Sequence, residues 1–252
     1  MVVTPDRALE LPDPTNDDLR AVEGSRIFFA HQSVGGNVLS GIDPLYATAS
    51  EAAPRIVETR VPVQSSSSFL AHAKVGRNRD PHSKLAEFSG ILNDGLGADL
   101  DVAVLKFCYA DVTAATDVNE LFDAYWATID GLKVRHPAVR FVHATVPLTS
   151  DRSWKARTKA LLGRGDQRGP ADNLARERYN ARMRERCGDA GIMFDIAAVE
   201  ATIQQQPMVR HLNGERYFVL NRALSSDAGH LNNVGSVAAA HEFVSAIALA
   251  LR

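Results

Sequence analysis

Cysteine is nearly absent from this chain of 252 residues, with Cys108 in an apolar run and Cys187 in a charged stretch. Two isolated thiols build neither a disulfide framework nor a cysteine zinc site, so both are expected to be free. An excess of one charge is also lacking. The 28 Lys and Arg against 30 Asp and Glu leave a net charge of -2, which creates no field to attract nucleic acid or an anionic membrane. No apolar run reaches the ~18 uninterrupted residues of a membrane span; the longest, Ser236 to Leu251, is broken by His241 and Glu242. The first 25 residues are acidic (Asp6, Glu10, Asp13, Asp17, Asp18) and lack the basic start and apolar centre of an export signal. This predicts a cytoplasmic protein, or an exported one whose signal is not part of this sequence.

What remains is an ordinary globular composition, 45% hydrophobic and 23% charged, which argues against disordered, collagen-like and coiled-coil classes. A chain of this length buries about 72% of its unfolded surface, enough for a core without staples. Residues 1–24 show little periodicity and read as an arm, followed by one domain over 25–252. Five apolar runs read as strands: 26–30, 55–61, 101–107, 140–146 and 191–196. Between them lie helical patterns at about 36–47, 82–96, 117–135, 172–189 and 234–251. Near-continuous apolarity means strands covered on both faces, and the long spacers suit crossover connections. The fold class is therefore α/β, a five-stranded parallel sheet in a three-layer α/β/α arrangement.

In such a sheet ligands bind at the carboxyl edge of the strands. The loop after the first strand reads His31-Gln32-Ser33-Val34-Gly35-Gly36-Asn37, and the loop before the last helix reads Ser225-Ser226-Asp227-Ala228-Gly229-His230-Leu231-Asn232. A serine nucleophile needs a base, and the base needs an orienting carboxylate. Asp227 and His230 have the spacing to bind one another, and Ser33 stands at a helix mouth whose amides favour a developing anion. Taken singly, a serine at a helix start is usually a cap and an Asp-x-x-His usually a turn pair. Their joint occurrence in the first and last loops of one strand pattern points to a triad.

This combination resembles the SGNH, or GDSL, hydrolases across residues 26 to 250, most specifically in Asp227-Ala228-Gly229-His230-Leu231-Asn232. The serine motif departs, with His31-Gln32-Ser33 where that family has Gly-Asp-Ser, and so looks like a divergent branch. The resemblance implies a flavodoxin-like fold and a serine esterase acting on an acyl or O-acetyl ester, carbohydrate esters included, with no metal or organic cofactor. It implies Ser33, Asp227 and His230 as catalytic residues. For the oxyanion hole it implies the Ser33 amide and the Gly76 amide, with Ser65 to Ser68 as an ambiguity in that loop. Cys108-Tyr109-Ala110-Asp111 stands where the family has Gly-x-Asn-Asp, so the usual asparagine is replaced by Ala110. Asn37 is the alternative side-chain donor, or else a cap that bonds nearby backbone.

Two other classes compete. His31, Asp111, His143, Asp227 and His230 have the donor types of a metal-dependent hydrolase, without local ligand spacing. The Ser-Val-Gly-Gly-Asn loop could cradle phosphate, although no Gly-x-Gly-x-x-Gly or Gly-Lys-Ser/Thr motif accompanies it. A non-catalytic binding protein on the hydrolase fold is a further alternative. His143 and Lys106 read as buried structural residues, the latter near Asp111; Asp195 and Glu200 read as holding the fifth strand's loop, and Asn173 and Asn180 as helix caps or bridges. The basic segment from Asp151 to Gly169 is expected to border the site's mouth and to favour an anionic ester. No oligomeric state is legible.

Overall fold

The computed structural model describes residues 13–64, 67–151, 168–187 and 192–252. A parallel sheet of six strands forms its centre: β1 (Arg26–His31), β2 (Ile56–Glu58), β3 (Phe69–Lys74), β4 (Val102–Leu105), β5 (Arg140–Ala144) and β6 (Met193–Phe194), in the order β2-β3-β1-β4-β5-β6. Strand faces alternate into two cores. Ile27 and Phe29 of β1 and Val102 and Val104 of β4 face one, whereas Phe28, Ala30, Ala103 and Leu105 face the other. This period of two between two buried faces makes the strand sequences continuously apolar.

The first core is covered by α1 (Asn16–Glu23), α2 (Ser33–Ser40), α3 (Ile42–Ala49), α7 (Ile196–Ala201) and α8 (Asn233–Leu251). The second is covered by α4 (Pro81–Asn93), α5 (Val118–Arg135) and α6 (Pro170–Cys187). The architecture is three-layered α/β/α, as expected from the sequence. Asp117 caps α5 through the amides of Asn119 and Glu120, and the helix ends at His136 before Pro137. By length and composition α8 could cross a bilayer, yet Phe243, Val244 and Ile247 are buried, with the Phe243 ring 4.7 Å from Phe29 and 5.3 Å from Phe194.

The strand count corrects the sequence reading. Run 55–61 yields only the short edge strand β2, and β1's actual neighbour is β3, paired from Arg26↔Phe69 to His31↔Lys74. Phe69-Leu70-Ala71-His72-Ala73-Lys74 carries too few β-branched residues to read as a strand, but Phe69, Leu70, Ala71 and Ala73 are buried between helices. Part of the expected arm is also structured. The Thr15 and Asp18 side chains form a capping box at α1, and Leu19 and Val22 are buried against α8; residues 1–12 lie outside the described residues. Two antiparallel hairpins, β7 (Thr202–Ile203) with β8 (Gln206–Pro207) and β9 (Val209–Leu212) with β10 (Glu215–Phe218), precede the last loop.

Beyond β5, after a last main-chain bond from Thr145 N–H to the Phe194 carbonyl of β6 at 3.1 Å, the chain is held largely by side chains. Asn180 accepts from Val146 N–H at 2.7 Å and donates to its carbonyl at 3.0 Å; Asn173 accepts from Thr149 N–H at 3.1 Å and donates to its carbonyl at 2.8 Å. Glu200 accepts from Leu148 N–H, and buried Asp195 takes a bidentate bond from Arg184 at 2.6 and 3.0 Å. These four residues therefore hold the chain segments around the sheet's far edge.

Candidate active site

The loops after β1, β3, β4 and β5 and the turn before α8 converge at the carboxyl edge. Gln32 is the N-cap of α2 in extended conformation, and Ser33 is the first helical residue, with its side chain exposed. The Ser33 N–H is one of the helix's opening amides and donates to no group among the described residues. Close packing holds this turn down: a Cβ on Gly35 would lie 2.3 Å from His31 Cβ. Gln32 Nε2 donates to the carbonyls of Val75 at 2.7 Å and Gly76 at 3.1 Å, fastening the loop to the one after β3.

The Asp227 to His230 turn is closed by its own carboxylate. Asp227 Oδ1 accepts from Gly229 N–H at 2.7 Å and His230 N–H at 3.0 Å, while the His230 imidazole Nδ1 lies 2.8 Å from Oδ2 and 3.0 Å from Oδ1. Burial works against the Asp227 charge, but the bonds from the Gly229 amide and the His230 ring outweigh it and hold the carboxyl below its ordinary range. Around the turn, Ser226 N–H bonds the His230 carbonyl and Ser150 N–H bonds the Ala228 carbonyl. Tyr109 packs so closely that a Cβ on Gly229 would come 2.7 Å from its ring, and its edge faces His230 with centroids 6.0 Å apart.

His230 Nε2 then meets Ser33 Oγ at 2.9 Å. Ser33, His230 and Asp227 thus form one hydrogen-bonded chain across 197 residues of sequence. With Asp227 accepting a hydrogen bond from Nδ1–H, the tautomer leaves Nε2 as an acceptor for the Ser33 hydroxyl. That arrangement can withdraw the hydroxyl proton and hold it on imidazole.

The other expected site residues are placed differently. Gly76 N–H donates to Glu87 Oε2 at 2.7 Å, so a carboxylate already occupies this amide. Asn37 sits one turn beyond Ser33, but its Oδ1 accepts from Leu231 N–H at 3.3 Å and its Nδ2 donates to the Leu231 carbonyl at 3.4 Å. Both expected oxyanion donors are thus engaged elsewhere: Glu87 of α4 holds the Gly76 amide, and the Leu231 main chain holds Asn37, which fixes the last loop to α2. Of the ambiguous serines, Ser65 and Ser66 lie outside the described residues.

Of the residues considered as metal ligands, only Asp227 and His230 pair with one another. His31 is buried, with Nδ1 2.7 Å from the Gln32 carbonyl and Nε2 3.1 Å from His72 Nδ1, and burial pushes its pKa down to about 3. His143 meets the Tyr125 hydroxyl at 2.8 Å behind β5, and burial likewise lowers it to about 3. Asp111 bonds a lysine. Among the described residues no three His, Cys, Asp or Glu side chains are grouped to hold a metal ion.

That lysine is Lys84; Lys106, the lysine expected near Asp111, feels the same carboxylate without pairing with it. Lys84 and Asp111 are both fully buried and ion-paired, and Lys84 Nζ also donates to Asn78 Oδ1 at 3.1 Å. Asp111 Oδ2 further accepts from Cys108 N–H at 2.6 Å, and its Oδ1 from Arg79 N–H at 2.9 Å. Lys106 donates to the Phe107 carbonyl at 3.1 Å, and burial lowers its pKa to about 8. Sequence reasoning missed Lys84, Asn78 and Tyr109. Lys84 follows Asp80-Pro81 in a helical pattern and reads as a solvated lysine, which is why it gave no signal. Most of the basic segment, residues 152–167, lies outside the described residues; at its end Arg168 lies with its guanidinium 5.8 Å from the Tyr109 ring centre.

Two solved structures share this architecture. A Streptococcus pneumonia protein assigned as a platelet activating factor superposes with a TM-score of 0.52 at 13% identity, covering 94% of each chain. A Desulfitobacterium hafniense DCB-2 protein, assigned as a lipolytic protein of the G-D-S-L family, superposes with a TM-score of 0.50 at 10% identity, over 88% of this chain and 99% of that one. No family model and no curated protein sequence matches the chain. At these identities the likeness is one of fold, the three-layer α/β/α architecture that the chain shares with both proteins.

Proposed function

We propose that a chain with this fold and this hydrogen-bonded loop pair is a serine esterase, cleaving an acyl or O-acetyl ester through an acyl-enzyme intermediate. The observation that carries the reading is the continuous chain from Ser33 Oγ through the His230 ring to the Asp227 carboxylate, at 2.9 and 2.8 Å. In this account Ser33 Oγ attacks the ester carbonyl as His230 Nε2 takes its proton, and Asp227 stabilises the imidazolium without itself becoming protonated. Collapse of the tetrahedral intermediate breaks the bond to the alcohol, which leaves with the proton returned by His230. Water, activated by the same imidazole, then attacks the acyl-serine and regenerates the free hydroxyl. A hydroxyl acceptor in place of water would turn the same steps into acyl transfer.

The surroundings agree with these roles. The Ser33 N–H has no acceptor among the described residues and stands at the helix mouth, where the opening amides favour negative charge on the attacked oxygen. Tyr109 supports the imidazole turn from its side. The test is hydrolysis of short acetyl esters by the wild-type chain and by Ser33→Ala. The variant should keep its fold and lose several orders of magnitude in rate, down to what residual binding supplies. Wild-type turnover by folded Ser33→Ala would reject the reading.

A further inference from the structure

The attacked carbonyl oxygen needs donors, and of the expected ones only the Ser33 amide is left. Gly76 N–H is on Glu87, Asn37 is on Leu231, and Ala110 has no side-chain donor. β1 lies between β3 and β4 in the sheet. The bond from Arg79 N–H to Asp111 joins the loop leaving β3 to the loop leaving β4. The intervening turn, residues 76–80, therefore crosses the carboxyl end of β1, where Ser33 begins α2. Gln32 pins the start of that turn through Val75 and Gly76.

Asn78 stands at this crossing. Its Oδ1 is held by Lys84 Nζ, itself fully buried and paired with Asp111. With its oxygen anchored, the amide leaves its Nδ2 with no partner among the described residues, and the Asn78 side chain is exposed. An ammonium on the amide oxygen also withdraws electron density and strengthens the two N–H donors.

Resting on the esterase reading, we infer that Asn78 donates its Nδ2 hydrogens to the oxyanion of the tetrahedral intermediate, with Lys84 and Asp111 as the positioning residues that aim it. The donor thus enters from the loop after β3, and the asparagine missing after β4 is replaced by one held through Asp111, the residue that stands beside the gap.

The experiment measures acetyl-ester hydrolysis and inhibition by a trifluoromethyl ketone, whose hemiketal presents the same oxyanion, for wild type, Asn78→Ala, Asn78→Asp and Ser33→Ala. The exposed Asn78 side chain can be removed without opening the core, and Lys84 keeps Asp111. Loss of one such donor typically costs ~10²–10³ in kcat. Asn78→Ala should show that loss with KM within about threefold, and ketone affinity should fall in parallel with kcat, a coupling that a merely structural residue would not produce. Asn78→Asp should be slower still, because a carboxylate faces the developing charge. If Asn78→Ala keeps wild-type kcat and ketone affinity while Ser33→Ala is inactive, the inference fails and the esterase reading stands. If Ser33→Ala remains active, the reading fails and the inference with it.

Discussion

Replacing Asp227 by asparagine separates the architectural from the chemical role of the last loop. Oδ1 closes the turn by accepting from the Gly229 and His230 amides at 2.7 and 3.0 Å, and an asparagine carbonyl can keep both bonds. Oδ2 faces the His230 Nδ1 at 2.8 Å, and in Asp227→Asn that position becomes an NH2 donor. Two donors cannot share this contact, so the imidazole turns to its other tautomer and presents Nε2–H to Ser33, leaving no base for the hydroxyl proton. The loss expected from a wrong tautomer in a triad is ~10⁴ in kcat, about 5.5 kcal/mol of transition-state stabilisation. The folded state should barely notice, since the carboxylate is half exposed and its ring contact is a surface pair. The assay is ester hydrolysis beside thermal unfolding followed by circular dichroism. A folded Asp227→Asn protein with more than about a tenth of wild-type kcat would refute the argument, because the imidazole would then need no orienting charge.

Other outcomes follow from the packing and titration of the site's floor. Gly35→Ala places a methyl 2.3 Å from buried His31 and should cost about 1–3 kcal/mol or more in denaturant unfolding, whereas Gly36→Ala meets no atom within 4 Å and should be neutral or slightly stabilising. His143, held neutral by burial with a pKa of about 3 against an ordinary 6.5, contributes stability that is complete above pH 6.5 and lost as pH falls towards 3. Substituting His143→Gln should therefore remove about 1.4 kcal/mol per pH unit from the slope of unfolding free energy between about pH 6 and 4, and an unchanged slope would show that His143 does not titrate on unfolding.

How far the sequence carried this picture depended on whether the interactions were local. The runs at 26–30, 101–107 and 140–146 announced buried strands because both their faces are covered. The Asp227-x-x-His230 turn was legible because its spacing closes it from within, and the carboxyl-edge rule brought Ser33 towards it. β3 was not legible: its alanines and His72 fit a strand only because the helix layers leave little room above and below, a fact of packing. The surroundings of the oxyanion were hidden for the same reason. Whether Gly76 N–H is free depends on Glu87, and whether Asn37 is free depends on Leu231, 194 residues away. Lys84 looked like a surface lysine and proves fully buried, because Asp111 and Asn78 meet it across two loops. The hairpin at Asn213-Gly214 went unread, although that dipeptide favours tight turns with positive φ, as both residues show.

The most direct test of the central claim is covalent labelling with a fluorophosphonate, which reacts with a serine only where a base and an oxyanion site activate it. The account predicts stoichiometric phosphonylation of the wild-type chain, with the adduct mapped by peptide mass to Ser33 and absent in Ser33→Ala. No adduct on the folded wild-type chain, or an adduct on any other residue that persists in Ser33→Ala, would contradict it.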